Sequence, residues 1–560
     1  MKHVFIAVGG SGAKVAEALV RLLAIGFPTR KENGVWTSAG DSLQIWRIDP
    51  DRSSGAAVSL QQAVKDYADM QAQLSGSEMT NGGSSSRWAM TIDQRVRQLD
   101  PLQLPKATSN DNDLKTLQGI LDSGYALNSS RQILSSFYEP KDLEVEIDRG
   151  FYQKPFIGAA VMAVFAESLR NDNSPGGKEC NLTAFHNNQA NFFLCGSLHG
   201  GTGACGVPVM GRFLASRKNA NPGWGWRVGA CLLAPYCVPP QPPFNALKEG
   251  ESISEQERES LLRDHADDPA FAGLTPEQKR KLVQQILDGF FADPEAMEAR
   301  ARQGLSYYKD HSADYFDELY LVGKPEPDKL KVWSNGGTSQ SNPLNSAEVV
   351  AAFSALNFFT KANTGNPQSY VIGSTPGSVN SEQMNLGQLP AYSIDNEDIQ
   401  PERVFLTTAV LLHLLRHQVP WNKRAREWGK EIEGLRRLYE KSEVRKDEDR
   451  AHFESAANVI TTFLMSTLDP TSAKGWSGDD ALRLWTFLSN DVAAVNDVSA
   501  RMAKRFIGNE PKGVLELGDT VLKLTTFDFG KWCPAGDQFS RGEYLRFVWS
   551  QIYNKCTTKT

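Results

Sequence analysis

Residues 191–208 read NFFLCGSLHGGTGACGVP. Asn191 to Cys195 is a short apolar run of the kind that forms a strand buried on both faces. Four glycines and a threonine lie between Gly200 and Gly206. Val207 to Ser216 has the composition of a helix. Strand, glycine-rich turn and helix in that order suit phosphate binding. Glycine lets an anion come close to the backbone, and the free amides of a helix start face it with the positive end of the helix dipole.

The N-terminus repeats the arrangement. His3 to Val8 (HVFIAV) is an apolar run, Gly9-Gly10-Ser11-Gly12 is a tight loop, and Ala13 to Ala24 is helical in spacing. Taken alone this loop is equally an ordinary strand-to-helix turn. A dinucleotide fingerprint would need a glycine where Val15 stands and an acid roughly 20 residues on. The first acid at a strand end is Asp49, further along. A Walker A loop fits neither segment, because no Gly-Lys-Ser/Thr follows.

Leu43 to Ile48 predicts a second strand, stopped by Asp49-Pro50-Asp51. Arg227 to Ala234 and Glu318 to Val322 predict two more, and Pro235 to Pro243 an extended loop. Helical patterns cover Ile157 to Leu169, Ala347 to Phe359, Val404 to Leu415 and Lys423 to Thr467. Val514 to Thr526 reads as strand. Strands alternating with helices predict an α/β fold with a Rossmann-like parallel sheet. Residues 52–148, with a Gly/Ser-rich loop at Ser75 to Ser86, and the charged helical stretch 245–310 read as insertions. The charged helices are solvated faces or partner contacts.

The chain has 560 residues, 40% hydrophobic and 22% charged, with net charge −6. That is a globular composition, and no global field favours nucleic acid. Seven cysteines at irregular spacing, without a CxxC pair, predict reduced thiols and no zinc site. The apolar run Val4 to Val8 passes straight into glycines, unlike a secretory signal. No apolar run is long enough to span a membrane. A cytoplasmic protein is the expectation.

The chain resembles the tubulin/FtsZ superfamily. His199-Gly200-Gly201-Thr202-Gly203-Ala204-Cys205 aligns with that family's GGGTGTG loop, and Pro208 falls where FtsZ has proline. Gly9-Gly10-Ser11-Gly12 aligns with its first nucleotide loop, and Asp49 with the acid ending its second strand. Arg149-Gly150 and Pro155-Phe156-Ile157-Gly158 resemble the γ-phosphate loop and its continuation. Leu233-Ala234-Pro235-Tyr236 resembles the segment after the fifth strand. His199, Ala204 and Cys205 depart from the signature, which marks a divergent branch.

The resemblance implies a domain over 1–345 binding GTP or GDP with Mg²⁺, a central helix at 346–365, and a smaller α+β C-terminal domain at 366–560 with long helices. It implies phosphate contacts from Gly9, Gly10, Ser11, Gly12, Gly150, His199, Gly200, Gly201, Thr202 and Gly203. Asp49 belongs to the same pocket. Asn342, Asn345 and Glu348 become candidates for holding guanine, against ordinary helix capping. Asp395 and Asp398 match the family's hydrolytic acids in spacing, against a helix start rich in acids. Lys154 is placed near the γ-phosphate or simply in solvent. His199 either touches phosphate or packs under the loop, and Cys205 is a buried, inert thiol. The family implies head-to-tail self-association into filaments, with GTP hydrolysed at the subunit interface. Two alternatives stand beside it. One is a non-hydrolysing nucleotide-binding subunit of a bacterial complex, for example in anti-phage defence or membrane remodelling. The other is a Rossmann-type dinucleotide enzyme.

Overall fold

The computed structural model describes residues 1–372 apart from 28, 33–34, 39, 75–89, 105–114, 123–135, 149, 187, 242–253, 265–270, 272–273, 288–289, 292, 325–326, 331–343 and 362–364. It also describes 389, 404, 407, 408, 410, 411, 414, 548 and 552. The strands are β1 (Lys2–Val8), β2 (Arg30–Glu32), β3 (Val35–Thr37), β4 (Ser42–Ile48), β5 (Thr91–Ile92), β6 (Arg97–Leu99), β7 (Ala190–Ser197), β8 (Trp226–Leu233), β9 (Cys237–Val238), β10 (Glu318–Val322), β11 (Asp328–Lys329) and β12 (Gln368–Ile372). The α-helices are α1 (Gly9–Ala24), α2 (Gly55–Leu74), α3 (Leu117–Asp122), α4 (Pro140–Glu144), α5 (Pro155–Ser168), α6 (Pro175–Cys180), α7 (Gly201–Ala220), α8 (Glu255–Asp264), α9 (Pro276–Leu287), α10 (Met297–Tyr315) and α11 (Ser346–Thr360).

Eight strands form one sheet in the order β12-β10-β8-β7-β1-β4-β5, with β6 also on β4. Every pairing in it is parallel. Helices must then cover both faces, and the central strands must be apolar on both. β1 meets this directly. Phe5 and Ala7 enter the core beneath α1, α2 and α11. Val4, Ile6 and Val8 enter the core beneath α3, α5, α7 and α10. The order is the doubly-wound one, and its direction reverses between β1 and β7. Ligands in such folds bind outside the carboxyl ends of the strands at that reversal.

Three expectations change. Residues 52–148 are not set apart from the sheet. α2 packs on α1, and β5 and β6 share the outer edge of β4. Two- and three-residue strands at an edge carry too little pattern to be recognised. Second, the helical stretch 245–310 divides. α9 builds a small core of Phe271, Leu282, Val283 and Ile286, whereas α10 covers the sheet and packs on α7.

Third, the sheet continues past the expected central helix. α11 is the crossover between β10 and β12, and β12 extends the sheet beyond it. Val404, Val410, Leu411, Leu414, Val548 and Ile552 are buried in the same core as α1 and α11. That apolar face needs a cover, and residues of the expected C-terminal domain help supply it. The segments Lys423 to Thr467 and Val514 to Thr526 lie outside the described residues.

Candidate functional site

α1 and α7 begin side by side at the carboxyl ends of β1 and β7. Gly9 has φ +74, and a Cβ there would sit 3.3 Å from Thr202 Cβ and 3.4 Å from Gly203 N. Neither helix has a side-chain cap at its N-cap residue, Val8 or Gly200, and neither has an acid in its first turn. Two positive helix ends therefore meet without compensation from their own residues. α11 is the contrast. Its N-cap Asn345 and Glu348 form a full capping box.

The glycine-rich stretch is not a loop before a helix, as its composition suggests. It is the first turns of α7 itself, from Gly201. Its glycines serve close packing. A Cβ on Gly203 would lie 2.6 Å from Ser197 N, and one on Gly206 2.5 Å from Val8 Cγ1. In the first segment Gly12 is packed equally tightly, 2.4 Å from Cys195 O, but a Cβ on Gly10 would meet nothing within 4 Å. Gly10 is the open position.

A third segment closes one side. Gly150, Tyr152 and Gln153 have φ of +115, +47 and +55. Glycine adopts such angles freely, but Tyr152 and Gln153 are not glycines, and non-glycine residues in that region are uncommon and cluster at ligand sites. A Cβ on Gly201 would come within 2.8 Å of Phe151 C and 3.0 Å of Gln153 N, and one on Gly150 within 4.0 Å of Thr202 Oγ1. Lys154 turns elsewhere. Its ammonium lies 3.8 Å from Asp142 Oδ1 and 4.0 Å over the Phe290 ring.

The rear wall is a polar network whose members stand apart in the sequence and are joined by the fold, with Lys14 the one not singled out there. Tyr236 donates its hydroxyl to Glu348 Oε1 at 2.6 Å and lies 3.2 Å from Ser11 Oγ. Lys14 Nζ reaches the same Glu348 oxygen at 3.1 Å, and Glu348 Oε2 accepts from Asn345 N at 2.7 Å. Glu348 is fully buried, and the burial of Tyr236, reinforced by the Glu348 charge, drives the Tyr236 pKa well up. Asn345 is used as a cap. Its Oδ1 accepts from Ala347 N, and its amide donates to Asp328 Oδ2 at 2.6 Å. Tyr236, directly after Pro235 just past the end of β8, was the available signal. Lys14 and Glu348 are brought together only by the fold.

His199 is 5% exposed, and its Nδ1 has no hydrogen-bond partner among the described residues. Burial alone lowers its pKa to about 4, so the ring is neutral. It packs edge-on against Tyr236, with centroids 6.2 Å apart. Cys205 is buried, donates its thiol to Gly201 O at 3.0 Å, and has its pKa pushed up by burial, as expected of an inert thiol. Asp49 ends β4 with both oxygens engaged. Oδ2 takes Arg47 at 2.9 Å and Oδ1 takes Asp51 N at 3.2 Å. Burial raises its pKa to about 6.

Asn342, Asp395 and Asp398 lie outside the described residues. For phosphate, the uncapped helix starts, the space at Gly10 and the unpartnered His199 nitrogen fit. For Mg²⁺ they offer little. Among the described residues no cluster of three His, Cys, Asp or Glu could hold a metal, and Asp49 and Glu348 already have their oxygens engaged. The described cysteines are free thiols. No described helix is long and apolar enough to cross a membrane. Searches against protein families, curated proteins and solved structures find no match for this chain.

Proposed function

We propose that the chain binds a nucleoside polyphosphate, GTP or GDP, with its phosphates between the starts of α1 and α7. One observation carries this reading. Two uncapped helix N-termini without first-turn acids touch each other at the point where the strand order reverses. Backbone amides and paired helix dipoles there stabilise an anion without many basic side chains. Guanine as the base, hydrolysis and head-to-tail filaments come from the tubulin/FtsZ resemblance. In that reading Asp395 and Asp398 of one subunit polarise water over the nucleotide of the next, and assembly is heterologous and open-ended.

The test is direct. Purified chain is denatured and the released nucleotide is identified by mass spectrometry. GTP turnover and sedimentable polymer are then measured with Mg²⁺. GDP or GTP in the released fraction is the expected result, and NAD or FAD would sink the proposal. Asp395→Ala and Asp398→Ala should abolish turnover and leave binding intact.

A second reading has one observation in its favour. The described part of the cleft offers no carboxylate with a spare oxygen to activate water. A nucleotide-binding subunit without hydrolysis follows if turnover is absent while nucleotide is retained. The dinucleotide alternative regains some ground. The β2–β3 hairpin, inserted between α1 and β4, accounts for the long spacing to Asp49. Asp49 is nonetheless spent on Arg47 and Asp51.

A further inference from the structure

α10 comes from the charged stretch that sequence reading treated as an insertion. It packs on α7, and two residues one turn apart on it bracket the start of that helix. Gly304 lies against Leu198, where a Cβ would sit 3.2 Å from Leu198 Cδ2. Arg300 reaches the other side, donating Nη1 to Gln153 Oε1 at 2.6 Å. Gln153 is 8% exposed, and its backbone N is pressed against Gly201, the first residue of α7.

The Arg300 guanidinium is part-buried, and burial lowers its pKa, with Asp293 pulling the other way. Among the described residues no carboxylate stands within ion-pair distance of it. Its partner is a neutral amide oxygen, one side chain away from the positive end of α7. A cation there is unfavourable unless an anion shares the space. A second feature points the same way. The unpartnered His199 Nδ1 is buried directly before Gly200, with its ring against the Tyr236 that reaches Ser11. Leaving a buried polar atom unpaired costs on the order of 1–3 kcal/mol, which a ligand contact would recover. Two further cations stand nearby, Lys154, occupied by Asp142 and Phe290, and Lys14, occupied by Glu348.

We propose that Arg300 binds the phosphate chain of a nucleoside triphosphate, aimed at it by Gln153. The proposal rests on the phosphate reading of this cleft. Arg300 is the binding residue. Gln153 is a positioning residue, held by a loop that Tyr152 ties to Glu146 O at 2.6 Å. The helical stretch is then part of the ligand site.

Sodium tripolyphosphate and GTP are titrated into the full chain by calorimetry at low and high salt. Arg300→Ala should weaken both by about tenfold to a hundredfold and flatten the salt dependence. Arg300→Lys should recover only part, because it keeps the charge and loses the planar fork. Gln153→Leu should weaken binding less than Arg300→Ala. Lys281→Ala, which removes an exposed cation paired with Glu146, should stay within twofold of the wild type. Should Arg300→Ala lower the melting temperature without ligand, the salt dependence decides, since a purely structural lesion leaves it unchanged. Wild-type binding with Arg300→Ala within twofold, or with its salt dependence unchanged, overturns the proposal. Absence of wild-type binding to either probe removes the phosphate reading itself.

Discussion

α1 and α7 begin with similar runs of glycine, yet the two runs do different work. Around α7, Gly201, Gly203 and Gly206 are each within 2.8 Å of a neighbouring atom once a Cβ is added. Around α1, Gly12 is equally confined while Gly10 faces open space. The packed start fixes where its amides stand. The open start leaves room for something to approach. Glycine content alone does not separate these roles, and the surroundings of each residue do.

Substitutions at matched positions should expose the difference. Gly203→Ala places a methyl 2.6 Å from Ser197 N and 2.7 Å from Ser197 O, backbone atoms that cannot move aside cheaply. The expected cost is about 3 kcal/mol or more, read as loss of soluble, cooperatively melting protein. A normal melting curve would show that the second segment is as roomy as the first. Glu348→Ala removes the buried carboxylate that Lys14 and Tyr236 share and breaks the α11 capping box. About 3 kcal/mol should be lost in thermal or urea unfolding, and a loss below about 1 kcal/mol would make that wall peripheral.

His199 belongs to the packed side and titrates against it. Its folded pKa of about 4 lies below the ordinary 6.5. Its contribution is therefore complete above pH 6.5 and is lost as pH falls toward 4, by about 2 kcal/mol at pH 5. His199→Asn should remove this acid-linked loss, measured as melting temperature against pH. Asp49 runs the other way. Its folded pKa of about 6 exceeds the ordinary 3.8, so its contribution is lost as pH rises through 6. The smallest effect on stability is expected at the open position. Gly10→Ala should stay within about 1 kcal/mol of the wild type and still weaken GTP binding. Unchanged affinity would mean that phosphate does not approach Gly10.

The central strands were legible because β1 and β7 are buried on both faces and β10 is buried on one face and half-buried on the other. Val4 to Val8, Asn191 to Cys195 and Glu318 to Val322 are near-continuous apolar runs ended by glycine or a turn, and they fall within β1, β7 and β10. The start of α7 was not legible, because helix interiors disfavour glycine and only packing against Ser197 and Phe151 explains it there. Lys154 illustrates a different limit. Its place in sequence suited a phosphate contact, but Asp142 and Phe290 come from elsewhere in the chain and take it. Tyr236, Glu348 and Lys14 meet from three separate elements, and Arg300 arrives from a helix that sequence reading set aside. Contacts across such distances leave no local pattern.

The position of β1 also bears on how the chain is made. It is flanked by β4 and β7, with Lys2 opposite both Ser42 and Ala190. Half of its ladder must wait until about residue 197 has left the ribosome. At ordinary synthesis rates that is on the order of 10–40 s with an apolar strand edge unpaired. The cleft cannot exist earlier, since one of its two helix starts lies beyond β7. Nascent chains stalled before α7 should therefore depend on chaperones, whereas chains released past β8 should be able to close the centre of the sheet.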